Sequence, residues 1–424
     1  MTTDGNGNFN SKTTFYVVAC WIFVAFGGLM FGYDIGISAL VSSFFASKAC
    51  TKLGRKITMM MASLVFVAGA VSSALANNLI VLILGRILFG VGVGFGNETV
   101  PLFLTEVAPI QHRGAVNILF QLFVTIGIFI ANLVNFATSK IHPNGWRMSL
   151  GFAAFPAGVL FIGTFVITDT PASLLSRGKE EKAKSVLKKV RGVSDVDAEF
   201  QEIVAANEQS KQVKHSVKSV FKPPSIPPLV ISVLLQVFQQ FTGINAIMFY
   251  APVLFQTMGF KASSSLLSAV VTGIINVVST CVSIYIVDKV AIGIILAKSL
   301  GETGTLNKTL AIVVVLLVCT FVMAFAWSWG PLGWLIPSET FPIETRTLGF
   351  AFAVSTNMLF TALIAQAFLT MLCTMRAYTF FFFSAWIFVM GLFAIFFLPE
   401  TKGIPIEAMV ERAWKKHPVW KKLF

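Results

Sequence analysis

Two charged side chains lie inside long apolar runs of the sequence, where polar chemistry is least expected. Asp34 interrupts the first run, and Arg86 lies well within the third. A carboxylate in an apolar helix of a membrane protein is a functional hypothesis by default. Burial favours the protonated carboxyl and a nearby guanidinium favours the charged one, so a pair whose separation changes could bind and release a proton. The alternative is a static buried ion pair.

Carboxamide side chains form a second polar group within the apolar runs: Gln121, Gln236, Gln239, Gln240, Asn245, Asn276 and Asn357. Amides both donate and accept hydrogen bonds, which suits the hydroxyls of a neutral hexose. The alternative for any single amide is a hydrogen bond that joins two helices. For Gln239, Gln240 and Asn245 we favour substrate binding, because the helix weakened at Gly243 would expose backbone to a cavity.

The composition restricts the class of protein. Of 424 residues, 56% are hydrophobic and only 12% are charged, with 42 Phe and a mean hydropathy of +0.80. Soluble domains carry about 25% charged residues, so the sequence predicts a polytopic α-helical membrane protein. The net charge of +13 does not indicate nucleic-acid binding, because the basic residues lie between apolar runs, as in cytoplasmic loops.

The apolar runs divide into two groups. They lie at about 14–47, 57–76, 79–104, 115–138, 148–167, 228–256, 264–287, 309–336, 348–372 and 377–398. Between 168 and 227 basic and acidic residues alternate, which predicts amphipathic cytoplasmic helices. We therefore expect a tail (1–12), an N-terminal helical half (13–168), a cytoplasmic linker (169–227), a C-terminal helical half (228–398) and a cytoplasmic basic tail (399–424).

The two halves contain a repeated motif. Thr105-Glu106, Pro109 and Arg113 match Ser338-Glu339, Pro342 and Arg346 at a constant offset. Parallel repeats joined by a charged linker are typical of major-facilitator transporters. Charged residues at the predicted cytoplasmic span ends could form ion pairs that hold the halves together in an outward-open state: Arg55, Glu106, Arg113, Glu339, Glu344 and Arg346. The alternative is solvated loop charges.

Alternate glycines from Gly90 to Gly96 resemble a phosphate-binding loop. No strand precedes them, and neither Lys-Ser nor Lys-Thr follows, so a nucleotide site is not indicated. We expect these glycines to allow close packing of helices.

Several motifs together resemble the sugar porter branch of the major facilitator superfamily, above all the plant monosaccharide–proton symporters. They are the segments 28–34 (GLMFGYD), 52–56 (KLGRK), 85–86 (GR), 239–245 (QQFTGIN), 330–334 (GPLGW) through Arg346, and 399–403 (PETKG). The resemblance covers nearly the whole chain and implies an all-α fold of two six-helix halves.

The resemblance also implies roles for individual residues. Asp34 would accept the proton, with Arg86 as its modulator. The implied sugar contacts are Gln121, Gln239, Gln240, Asn245, Asn276, Trp334 and Asn357, with Phe31 and Ile35 packed beside them. It implies no cofactor other than the co-transported proton.

The chain departs from the family pattern at two places. The end of helix 1, the extracellular lid and the start of helix 2 are missing after Ser38, and most of helix 9 is missing after Lys289. We therefore expect truncated helices 2 and 9 and about ten intact spans. Glu98 is a smaller departure, since the family usually has Gln there.

The sequence favours a secondary transporter that moves a hexose with a proton by alternating access. An uncoupled sugar facilitator and a non-transporting variant that modulates an intact relative remain as alternatives. An enzyme is not indicated, because the four His lie in loops or tails and no nucleophile–base pair or metal cluster is evident. The expected partners are the sugar and the lipid bilayer, without nucleic acid, for a monomer in the plasma membrane.

Overall fold

The computed structural model describes residues 37–109, 112–141, 143–193, 195–212, 217–248, 270–280, 308–342, 344–375, 378–401, 404 and 409–423. The regular structure in these ranges is helical. In the first half the helices are α1 (Ile37–Leu53), α2 (Arg55–Ala74), α3 (Leu79–Val107), α4 (Arg113–Thr138), α5 (Gly145–Phe152) and α6 (Ala154–Val166). The linker contains α7 (Pro171–Ser176), α8 (Glu180–Arg191), α9 (Asp197–Gln212) and a 3₁₀ turn (Val217–Phe221). In the second half they are α10 (Ile226–Phe241), α11 (Val270–Thr280), α12 (Lys308–Trp327), α13 (Trp329–Thr340), α14 (Arg346–Met375) and α15 (Tyr378–Phe397).

Seven helical segments of the described chain are long and apolar enough to cross a bilayer, which bears out the predicted polytopic helical fold. They are Arg55–Ala74, Leu79–Val107, Gly114–Thr138, Gly145–Val166, Ile226–Met248, Val318–Thr340 and Arg346–Phe368. The starts are set by local signals as well as hydropathy: at α3, the Asn78 side chain accepts a 2.9 Å hydrogen bond from the Val81 N–H. The figure of about ten spans stays a prediction.

The two expected truncations fall largely on parts of the chain outside the described residues. Residues 1–36 and 281–307 belong to those parts, and with them Phe31, Asp34, Ile35 and the remnant of helix 9.

Glycines bring α1, α2 and α3 into close contact. A methyl group added at Gly92 would lie 2.6 Å from Phe66 Cβ, and one at Gly94 would lie 2.5 Å from the carbonyl oxygen of Ala39. The prediction that the glycine run allows close helix packing is therefore confirmed. Gly69 of α2 makes a similar approach to the backbone of α3, where an added methyl group would lie 2.4 Å from the Phe89 nitrogen.

One apolar cluster joins the two halves. It combines buried side chains of the first half, such as Phe103 and Phe120, with Trp334 of α13 and Phe350 of α14. The Phe120 and Trp334 rings meet edge to face at 5.3 Å. Packing across the two halves therefore holds them together as one bundle in this conformation.

The linker helices dock at one end of the bundle. Thr170 caps α7 and Pro171 begins it, while α8 ends at Gly192 in the left-handed conformation (φ 65°). Arg191 donates to the carbonyl oxygen of Val107 at 2.8 Å and pairs with Glu199 at 2.7 Å. This end, which carries the start of α2, the end of α3 and the linker, is called the linker end below.

The Gly69 contact gives a stability prediction. We expect Gly69→Ala to lower the thermal unfolding midpoint of the purified protein, because a backbone group cannot rotate away from the new methyl; overpacking costs about 1–3 kcal/mol. Gly158→Ala is the matched control, since nothing lies within 4 Å of its added methyl. The packing argument would be contradicted if Gly158→Ala lowered the unfolding midpoint, or if Gly69→Ala left it unchanged.

Candidate functional site

A network of buried amides connects α10 with α14. Asn357 donates to Gln236 Oε1 at 2.6 Å and to Gln239 Oε1 at 2.8 Å. All three side chains are at most 4% exposed. Both N–H groups of Asn357 are thus used, whereas each glutamine oxygen keeps a second lone pair.

The same two glutamines fix the backbone of α13. Gln236 donates to the carbonyl oxygen of Gly333 at 2.5 Å, and Gln239 donates to those of Trp329 and Gly330 at 3.0 and 3.2 Å. The glycine at 333 allows the approach of Gln239, because a methyl group there would lie 2.7 Å from Gln239 Nε2. Three helices therefore meet at one polar centre.

Two further predicted residues lie at the end of α10. Asn245 donates to Gln240 Oε1 at 2.6 Å and lies 3.5 Å from Thr361 Oγ1 of α14. Between them Gly243 adopts φ 82°, a conformation that interrupts the helix and that a side chain rarely tolerates. The turn carries Asn245 toward α14, which places both amides beside the polar centre.

The remaining predicted sugar residues approach from other helices. Gln121 of α4 is buried, with its Nε2 3.4 Å from the methyl position of Gly330. Trp334 is 2% exposed and packs within the apolar cluster. Asn276 is buried on α11, which contacts α4 where Gly273 meets Phe129. The Oδ1 atom of Asn276 has no hydrogen-bond partner among the described residues.

The predicted proton pair is described only in part. Asp34 lies outside the described residues. Arg86 is half-buried on α3, and its guanidinium carbon lies 5.4 Å from the centre of the Phe89 ring. The assignment of these two residues to proton coupling thus stays a prediction.

At the linker end, Glu106 interacts with basic side chains from both halves. Arg55 contacts its Oε1 at 2.7 Å, and Arg346 of the second half lies 3.9 Å from the same oxygen. Thr170 of the linker donates to Oε2 at 2.6 Å. The carboxylate is 3% exposed. Among the predicted gate residues, the structure thus brings together Arg55, Glu106 and Arg346.

The other predicted gate residues are placed less fully. Glu339 and Glu344 are half-buried near the start of α14, and the side chain of Arg113 lies outside the described residues. Glu339 has interactions of its own. Their part in a gate stays a prediction.

Asp169 and Arg177 extend this cluster, and the sequence analysis did not assign them to it. Asp169 accepts from the Arg55 N–H at 3.1 Å and pairs with Arg177, which donates to the carbonyl oxygen of Leu53 at 2.7 Å. Asp169-Thr170 of the first half matches Glu400-Thr401 of the second, and that repetition was the signal available in the sequence. The linker is therefore fastened directly to the ends of α1 and α2.

Hydroxyl groups also join the halves. Thr105 and Ser338 are the matching first residues of the repeated motif and are separated by 233 positions in the sequence. The Thr105 hydroxyl donates to Ser338 Oγ at 3.1 Å. Asn117 donates to Ser338 Oγ at 2.6 Å and to Thr105 Oγ1 at 3.2 Å. Nearby, Ser43 of α1 and Ser355 of α14 are hydrogen-bonded at 2.6 Å. Uncharged residues thus take part in the contact between the halves together with the charged ones.

The sequence is similar to known transporters along its whole length. It matches the profile of the family described as "Sugar (and other) transporter" over residues 37–414. It is 53% identical over 488 positions to Sugar transport protein 8 of Arabidopsis thaliana, an alignment that covers 100% of this chain and 96% of the relative. Since this chain has 424 residues, at least 64 of those 488 positions have no counterpart in it.

The fold is similar to that of solved major-facilitator structures. The proton:xylose symporter XylE bound to 6-bromo-6-deoxy-D-glucose superimposes with a TM-score of 0.80 at 24% identity, covering 93% of this chain and 98% of that one. For the inward-open conformation of XylE from E. coli the TM-score is 0.66 at 22% identity, covering 93% and 99%. Both comparisons show that this chain shares the fold of those transporters.

The position of Glu106 gives a conformational prediction. We expect Glu106→Gln to open the linker end, because it leaves the buried Arg55 without its anion; breaking a buried pair costs about 3–5 kcal/mol. Cys50, a free cysteine buried beside Arg55, is the probe. In a chain with Cys50 as its only cysteine, alkylation by a water-soluble maleimide should become at least about tenfold faster.

Asp197→Asn is the matched control, because it removes an exposed carboxylate of the linker whose pKa is lowered by its hydrogen bond from Lys184. That variant should leave Cys50 alkylation unchanged. Equal alkylation rates in Glu106→Gln and the parent chain would show that Glu106 does not hold the linker end closed.

Proposed function

The chain belongs to the sugar transporter family of the major facilitator superfamily, and from that premise we propose that it carries a monosaccharide together with a proton across the membrane. It is a multi-pass membrane protein and a transporter, not an enzyme. The observation that carries the finer proposal is the amide centre formed by Gln236, Gln239 and Asn357. We place the protein in the plasma membrane as a monomer.

The amide centre supports a sugar as substrate on chemical grounds. A hexose presents hydroxyls that donate and accept, and it carries no charge that would need a counter-ion. The oxygens of Gln236 and Gln239 already accept from Asn357 and have one lone pair left for a hydroxyl. Gln121 approaches the glycine-lined segment of α13 from the first half of the chain, and Trp334 lies on α13 itself, which would allow one ligand to contact both halves.

The hydrogen bonds that the amides make with one another are compatible both with sugar binding and with a purely structural role in joining helices. Without a ligand, each buried amide must find a partner within the protein, since water is scarce at that depth. A sugar hydroxyl would replace one amide contact by another of similar strength. The exchange would therefore favour neither the empty nor the loaded site strongly, as a transporter that must release its substrate requires.

Alternating access is supported by the contacts at the linker end. Glu106 and the Thr105–Ser338 contact hold the halves together there. We infer that the described conformation is closed on the linker side. The basic linker places that side in the cytoplasm by the positive-inside rule. Inward opening would then separate Arg346 from Glu106 and Thr105 from Ser338.

An uncoupled sugar facilitator is the second candidate. It is favoured by the alignment positions that have no counterpart in this chain, which the sequence pattern assigns to the extracellular lid with parts of helices 1 and 2, and to helix 9. A lid that no longer covers Asp34 would leave the proton site open to water. Proton uptake on addition of sugar to vesicles containing the protein distinguishes a symporter from a facilitator.

The amide centre gives a binding prediction. We expect Gln239→Ala to weaken sugar binding by about 5- to 150-fold, because a buried hydrogen-bonding partner left unsatisfied costs about 1–3 kcal/mol. Sugar binding to the purified protein is the measurement. Asn207→Ala, which removes a buried amide of the linker, should leave the affinity unchanged. Lower thermal stability of Gln239→Ala with unaltered affinity would assign Gln239 to helix packing instead.

The proton pair gives a coupling prediction. We expect Asp34→Asn to abolish uptake against a concentration gradient in cells that lack other hexose uptake, since the amide cannot carry a proton, while sugar exchange persists. Asp195→Asn, an exposed carboxylate of the linker, is the control and should accumulate sugar normally. Concentrative uptake by Asp34→Asn at the parent level would remove Asp34 from the coupling mechanism.

A further inference from the structure

Glu98 is a buried carboxyl group that neither the sugar site nor the linker-end cluster uses. It lies on α3, and its exposed fraction is 0%. Neither carboxyl oxygen has a hydrogen-bond partner among the described residues. Nine residues separate it from Val107 at the end of the helix, about 13 Å along the axis.

The nearest cation does not hydrogen-bond with Glu98. Arg55 of α2 is close enough to interact with it electrostatically. However, Arg55 directs Nη2 to Glu106 at 2.7 Å and Nη1 to the carbonyl oxygen of Cys50 at 3.2 Å. The neighbouring Asn97 is also buried, and its Nδ2 has no partner in the described part of the chain.

Among the described residues, the other titratable groups on helices packed against α3 include no second cation at that depth; the side chain of Arg113 on α4 lies outside them. Cys50 of α1 interacts electrostatically with Glu98, and its Sγ lies 3.3 Å from Thr99 Oγ1. Arg346 of α14 approaches Glu106, two turns nearer the helix end, and Glu339 of α13 lies half-buried at the linker end. The Lys56 ammonium on α2 donates to the carbonyl oxygen of Ile167 at 2.9 Å.

Electrostatics then decides the state of the carboxyl. An ionised carboxylate without hydrogen bonds in a low-dielectric interior is penalised by several kcal/mol, and such groups take up a proton instead. A neutral carboxylic acid avoids most of that penalty. When the helices separate and water enters, the penalty for the ion disappears and the acid can dissociate.

We propose that Glu98 is a second proton-binding site, which holds a proton while the linker end is closed and releases it to water when that end opens. In the release step the O–H bond of the carboxylic acid breaks, the proton passes to a water molecule and the carboxylate remains. The closed state therefore binds one proton more than the open state. By linkage, acidic pH stabilises closure and rising pH favours opening.

This proposal does not depend on sugar transport, and its first test needs only the folded full-length chain in lipid bilayers. Infrared spectroscopy detects the C=O stretch of a protonated carboxylic acid, which shifts on exchange into D₂O. We expect the parent chain at neutral pH to show a component of this band that is missing in Glu98→Gln. The control Asp197→Asn, which removes an exposed carboxylate of the linker, should keep it. Identical spectra for Glu98→Gln and the parent would show that Glu98 is ionised and overturn the proposal.

A second test measures the coupling to opening. The probe is a single cysteine introduced as Ala108→Cys, at a buried position of the linker end about 15 Å along α3 from Glu98. Maleimide alkylation is compared between this chain with and without Glu98→Gln over a series of pH values, so that the pH dependence of the thiol itself cancels in the ratio. We expect the parent-to-variant ratio to rise with pH, by at most about tenfold per pH unit for one proton. Glu98→Asp, which keeps a titratable carboxyl, should restore the rise. A ratio that does not change with pH would overturn the coupling of this proton to opening.

Discussion

A polar group buried in this helical bundle can be satisfied only by another group of the protein, and that constraint organises the described structure. The amides of α10 and α14 pair with each other and with the backbone of α13. The carboxylate of Glu106 pairs with Arg55 and accepts a hydrogen bond from Thr170. Some buried polar atoms lack a partner among the described residues, such as Asn97 Nδ2 and Asn276 Oδ1, and in Glu98 both carboxyl oxygens lack one.

The helical spans and the family were largely predictable from the sequence, because hydropathy over some twenty residues is a strong signal. The run predicted at 79–104 appears as Leu79–Val107, and that at 115–138 as Arg113–Thr138. The charges at span ends were also visible, since an acidic or basic residue stands out in an apolar sequence.

The neutral contacts were not predictable in the same way. Nothing in the sequence distinguishes Thr105, Ser338 or Asn117 from hydroxyls and amides that bond within their own helix. Gln236 was recognised as a buried amide but not assigned to the sugar site, although it lies at the centre of the network with Asn357. The Asp169 carboxylate accepts a hydrogen bond from the Arg55 N–H, and this contact follows from three-dimensional packing alone.

The contact between Thr105 and Ser338 resembles the centre of an isologous dimer, where equivalent positions of two copies meet on a symmetry axis. Strict symmetry would place a second asparagine 233 residues after Asn117, yet Phe350 stands there and is fully buried. One carboxamide carries two N–H groups, and Asn117 gives one to each hydroxyl. A single residue thus meets the requirement of both repeats, and its duplicate was free to become part of the apolar core.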